Sequence, residues 1–156
     1  MLNNLLTYFT SENIYLIANW GVIPFWLLLI FAPNHGLTNF FVQSIVAPAL
    51  LATGYAYLSY NLFLEKNIFD GFELYKGLDG LYSVFANENL LLIFWLHFLA
   101  ISLFAGAWIV RDARKYLIPR ILTIISIILT YFTGPLGLFI YWFIRIFFAK
   151  KISFND

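Results

Sequence analysis

The sequence predicts an all-α fold: a polytopic membrane protein, built as a four-transmembrane-helix bundle whose fourth helix is kinked. Two observations carry this. Of the 156 residues, 62% are hydrophobic and 11% charged, whereas soluble domains run near half apolar and about a quarter charged. The apolar residues also gather into four stretches, each long enough to cross a bilayer at about 20 residues per span. The chain, 1–156, reads as a single transmembrane domain. The absence of cysteine removes disulfides, thiolate nucleophiles and iron–sulfur ligation. A net charge of +1 argues against nucleic acid as a partner and against a polybasic lipid-binding surface.

The first span, 14–32, runs from Ile14 to Ala32 and stops at Pro33, with Pro24 a structural residue inside it. It lacks the positive flank and small-residue cleavage site of a secretory signal, so it is expected to be a retained helix. No Arg-rich, Ser-rich transit peptide is legible either, which favours a bacterial inner membrane. The second span, 40–64, runs from Phe40 to Leu64 and the third, 90–110, from Leu90 to Val110. The fourth, 121–148, is longer than a bilayer requires, and Gly134-Pro135 at its middle predicts a kink or tilt. Residues 33–39 make the first two spans a hairpin. Residues 65–89 form an acidic loop carrying Glu65, Asp70, Glu73, Asp79 and Glu88 against Lys66 and Lys76. The third connection is basic, with Arg111, Arg114, Lys115 and Arg120. Four spans place that cluster and the C-terminal Arg145, Lys150 and Lys151 on opposite sides, so the positive-inside count nearly balances. The compactness of the third connection tips it towards the cytoplasm.

His97 lies inside the unbroken apolar run 89–100, where an ionisable group is costly unless it faces protein or water. Counting about 1.5 Å per residue, Asn19 and His97 sit roughly 8 and 10 Å below the starts of their helices. Tyr57 and Tyr141 lie about seven residues before the ends of theirs. Four helices thus offer four polar groups at similar depth, and the expectation is an inward-facing cluster next to the 65–89 loop. His97 is the candidate catalytic base, its neutral form suiting a buried site, although a buried, hydrogen-bonded histidine is the commoner outcome. Asn19, Tyr57, Tyr141, Trp95 and Ser102 form the candidate ligand-binding set. Trp95, Trp108 and Trp142 also suit an interfacial belt. In the fourth span Thr123, Ser126, Thr130, Thr133, Gly137, Tyr141 and Arg145 recur at intervals of three and four, one helical face. Packing between helices explains it better than a pathway lining. Gly134, Pro135 and Gly137 join Pro24 as structural residues. The acids all read as loop or terminal residues, so no metal cluster forms within the spans. No phosphate loop or serine-nucleophile elbow appears, and no cofactor is expected.

Three stretches together resemble one family. They are the run from Ala18-Asn19-Trp20-Gly21 to Leu29, the run from Gly71-Phe72-Glu73-Leu74 through Trp95-Leu96-His97 to Trp108-Ile109 and Asp112, and Leu129 to Tyr141 with Gly134-Pro135-Leu136-Gly137. Their order and spacing are similar to the neoxanthin-synthase-like family, small membrane proteins named from a plant abscisic-acid-deficiency locus. The resemblance covers nearly the whole chain and implies a four-helix plastid or bacterial membrane protein. Its plant members are required to convert violaxanthin to neoxanthin, an epoxide-opening isomerisation that forms an allene. The family pattern carries an intramembrane Asp and a following Arg where this chain has Ser102 and Ala107. Those replacements remove the resemblance's strongest candidate for general acid catalysis.

The leading functional reading is an integral membrane protein that binds or isomerises a carotenoid or related isoprenoid, with membrane lipid around it. The alternative is a non-catalytic structural or assembly subunit of a larger membrane complex. A transporter ranks third. Paired discontinuous helices would mark it, and the sequence shows a single clear break, at Gly134-Pro135.

Overall fold

A computed structural model describes residues 10–65, 72–73 and 75–150, and among these the chain is helical with no strand. In chain order the elements are α1 (Ser11–Gly21), α2 (Ile23–Phe31), α3 (Gly36–Phe41), α4 (Val46–Glu65), α5 (Leu78–Phe85), α6 (Glu88–Lys115), α7 (Arg120–Thr133) and α8 (Pro135–Ala149). Local chemistry sets several boundaries. The Thr10 hydroxyl accepts from the Asn13 N–H and starts α1. The Asn87 side chain accepts from the N–H groups of Asn89 and Leu90 at 3.1 and 3.2 Å, capping α6. Pro24 falls in the first turn of α2, where its missing N–H is least costly. Val22 keeps helical dihedrals between α1 and α2, so the two run on as the stretch Ser11–Phe31.

Three helical stretches, Ser11–Phe31, Gly36–Leu62 and Glu88–Lys115, are long and apolar enough to cross a membrane. The last, α6, is the axis of the fold: it packs against α1, α2, α4, α5, α7 and α8. Its buried side chains, Leu92, Leu96, Leu99, Leu103, Ile109 and Val110, recur at intervals that carry them around the helix. A helix apolar on every side is one surrounded by others.

Two expectations from the sequence are corrected. The acidic connection is not all loop, because Leu78–Phe85 forms α5, whose Phe85 ring meets Phe94 of α6 edge-on at 4.8 Å. Residues 66–71 and 74, with Lys66, Asp70, Gly71 and Leu74, lie outside the described residues, as does Lys151. The larger correction concerns the fourth span, which is two helices instead of one kinked helix. At about 1.5 Å per residue, residues seven apart on one helix are about 10.5 Å apart along its axis. A β-carbon built on Gly137 would instead stand 2.1 Å from the backbone nitrogen of Thr130. So α7 and α8 double back on each other, the reversal made at Gly134 with φ 59° and ψ −93°. That left-handed backbone is strained for any residue with a β-carbon. Pro135 then opens α8 in its first turn.

Candidate functional site

α1 and α4 both pack on α6 yet stand apart from each other, and a groove of about 670 Å³ lies between them. Ala18, Val22 and Phe25 line one wall, Ala47, Gly54 and Tyr57 the other, and Leu96 of α6 forms the floor. On the α4 wall the small Ala47 and Gly54 alternate with the larger Leu50, Leu51 and Tyr57. From Ile14 to Phe25 the trough extends about 16 Å along the helices. Its surface is almost wholly apolar, and it opens sideways, towards where lipid would be.

At the end formed by the start of α1, the end of α4 and the start of α6, the groove meets a polar mouth. Tyr57 borders both the groove and a second cavity of about 500 Å³ whose walls include Ser11, Glu12, Asn61, Glu88 and Asn89. The Ser11 hydroxyl donates to Asn89 Oδ1 at 2.8 Å and ties α1 to α6 beside this mouth. On the far side of α1, Trp95 and Tyr15 line a crevice of about 440 Å³ with Ser11, Glu12 and Glu88. Two carboxylates therefore serve both openings. The arrangement suits a long apolar molecule with one oxygenated end.

The polar residues predicted from depth do not converge. Tyr57 is at the mouth, half-buried. Asn19 is half-buried on α1 but off the groove wall that its neighbour Ala18 lines. His97 is exposed on the flank of α6 facing α4, its ring 6.3 Å from both Tyr55 and Phe94, in a separate crevice of about 260 Å³. Consecutive helical residues point about 100° apart. Leu96 takes the inward direction, so His97 cannot. Ser102 is buried, its hydroxyl beside Gly134 at the α7–α8 turn. Trp95 stacks on Phe98 at 5.4 Å, near the mouth.

Tyr141 lies at the opposite end of the molecule, because α8 runs back where a continuous helix would have run on. Its hydroxyl donates to Asp112 Oδ2 at 2.7 Å. Arg145 donates from Nε to the same oxygen at 2.8 Å and from Nη2 to the Tyr116 hydroxyl at 3.2 Å. The guanidinium also lies 4.7 Å over the Tyr116 ring. Arg145 and Tyr141 are fully buried. Asp112 is thus a partnered acid on a helix, not a loop residue as its sequence setting suggests. The available signal was Arg145 continuing the weakly polar face of the fourth span, since a buried guanidinium needs an acid somewhere.

That face is real but split. Thr123, Ser126 and Thr130 of α7 and Gly137, Tyr141 and Arg145 of α8 are all buried, whereas Thr133 is exposed. The hydroxyls of Thr123, Ser126, Thr130 and Thr133 each donate to the carbonyl four residues back, those of Pro119, Leu122, Ser126 and Leu129. Satisfied within their own helix, they present small surfaces for close packing.

The fold is that of a small helical protein with three helical stretches long and apolar enough to cross a membrane and an apolar groove between two of them. No metal-holding group of three or more His, Cys, Asp or Glu occurs among the described residues. The chain belongs to the ABA DEFICIENT 4-like family, whose pattern matches residues 13–141. It is similar to Protein ABA DEFICIENT 4, chloroplastic, of Arabidopsis thaliana, at 27% identity over 108 residues. The alignment covers 67% of this chain and 49% of that protein, so the chain spans about half the length of that relative. No solved structure matches the chain. The resemblance carried by the Trp95-Leu96-His97 and Gly134–Gly137 blocks is borne out.

Proposed function

We propose that this chain binds a carotenoid or related isoprenoid in the groove between α1–α2 and α4, within a bacterial inner membrane. The observation that carries the reading is the joining, at Tyr57, of an apolar trough of about 670 Å³ to a polar mouth. Ligand sites in proteins are mostly apolar with a few convergent polar groups that fix orientation. A polyene chain would lie along Ala18, Val22, Phe25 and Leu96, with its oxygenated ring at Tyr57, Glu12 and Glu88. At that mouth Tyr57, Glu12 and Glu88 offer one hydroxyl and two carboxyl groups to hydrogen-bond an oxygenated ring. Ser102 and Ala107 lie elsewhere, on the buried faces of α6, so their departure from the family pattern leaves this mouth intact.

The test is co-purification from a carotenoid-producing bacterial host, read by the visible absorbance of the purified protein. A near-stoichiometric pigment is expected, lost when Gly54→Phe fills the trough and retained in His97→Ala, which lies outside it. A colourless protein with no altered pigment profile in the host would sink the reading. Co-migration of such a protein with a larger complex would move the weight to the assembly-subunit alternative.

A further inference from the structure

The doubled-back α7–α8 pair resolves a contradiction in the charge pattern. If 121–148 crossed the membrane once, Arg111 to Arg120 and Arg145 to Lys150 would fall on opposite sides. The structure instead brings both ends of the pair to one face. Arg120, opening α7, donates to the carbonyls of Ile30 and Phe31 at the end of α2. Near the other end, Arg145 of α8 reaches Asp112 and Tyr116, next to the end of α6. The turn between them is deep. A β-carbon at Gly134 would stand 3.1 Å from the Phe98 ring and 3.3 Å from the Ser102 hydroxyl. Ser102 is 14 residues from the start of α6 and 13 from its end, or about 20 Å from either.

Neither helix of the pair can span alone. α7 has 14 residues and α8 has 15, about 21 and 22 Å of rise, against a hydrocarbon core of about 30 Å. A non-helical turn at mid-membrane depth is tolerated only where protein covers it, and Gly134 is buried against α6.

We propose that α7–α8 is a re-entrant hairpin, that the chain crosses the membrane three times, and that its basic face lies in the cytoplasm. Arg111, Arg114, Lys115, Arg120, Arg145 and Lys150 then share one side, six of the nine Lys and Arg residues, an asymmetry the positive-inside rule reads directly. Arg111 and Arg114 are already turned to that face, bonded to Gln43 and Asn34 in the connection between the first two spans. The mouth with Glu12, Glu88 and Tyr57 faces the other side of the membrane, so an oxygenated ligand end would be met from outside the cytoplasm. That last point rests on the groove reading; the topology does not.

The chain has no cysteine, so single introduced cysteines report position without background. Tyr75→Cys, Leu117→Cys, Phe132→Cys and Lys150→Cys sit at exposed positions on the acidic face, the basic face, the hairpin tip and the end of α8. Each full-length variant is probed with a membrane-impermeant maleimide in intact and in permeabilised cells of a bacterial host. The expected pattern is labelling of position 75 in intact cells, of 117 and 150 only after permeabilisation, and of 132 in neither. Labelling of 150 but not 117 in intact cells would restore the fourth span and overturn the hairpin. Labelling of both 117 and 150 in intact cells would overturn the cytoplasmic assignment. Loss of pigment binding with the expected labelling pattern would count against the groove alone.

Discussion

Removing the Asp112 carboxylate tests what pins α8 to α6. Asp112→Ala deletes the acceptor of two charge-related hydrogen bonds, from Tyr141 at 2.7 Å and from Arg145 at 2.8 Å. Arg145 has no exposed surface, and its Nε pairs with Asp112 Oδ2 at 2.8 Å. Stripping one partner from a buried ion pair leaves an uncompensated charge and costs about 3–5 kcal/mol. The Tyr116 ring and hydroxyl that also hold the guanidinium place the expected value at the lower end. At about 2–4 °C per kcal/mol for a chain of this size, the melting temperature in mild detergent should fall by about 6–15 °C. The double replacement Asp112→Leu with Arg145→Met should recover most of this, because an apolar pair of similar volume avoids the desolvation penalty. The assay is thermal unfolding followed by tryptophan fluorescence, and Trp108, which meets Tyr141 edge-on at 5.5 Å, reports from the site. An Asp112→Ala protein melting within about 2 °C of the parent would refute the reasoning, since that is under 1 kcal/mol.

Other perturbations discriminate equally well. Gly137→Ala places a β-carbon 2.1 Å from the Thr130 nitrogen and should split the hairpin, whereas Gly21→Ala meets nothing within 4 Å and should be silent; yield and monodispersity in detergent separate the two. Asn87→Ala removes the α6 cap bonds to Asn89 and Leu90 and should cost about 1 kcal/mol in the same melting assay. Ser126→Ala loses only a bond within its own helix, to Leu122 at 3.0 Å, so a change under about 1 kcal/mol is expected. A larger loss would mean that the hydroxyl serves another partner.

Hydropathy and length were sufficient to read the all-helical fold class, three of the four expected spans and the breaks at Pro33 and Gly134, because burial in lipid or protein is written into composition over about 20 residues. Family membership was legible too, from short blocks such as Trp95-Leu96-His97 and Gly134-Pro135-Leu136-Gly137. The site was only partly so. Depth along a helix follows from counting residues, which is why Tyr57 was placed near the acidic end. Direction around the helix depends on which neighbours arrive, and Leu96, not His97, met the space between α1 and α4.

The sequence by itself determined where the long apolar helices form and stop, since capping, proline and apolar runs act locally, but it did not disclose α5 in the acidic connection. Only the tertiary structure decided the sense of the chain beyond Gly134. A Gly-Pro step permits a kink or a reversal, and nothing in its immediate neighbourhood selects between them. The choice rests on long-range contacts, with Gly137 against Thr130 and Arg145 and Tyr141 on Asp112. Those groups are remote in sequence, and their attraction exists only once α6 is in place to receive them.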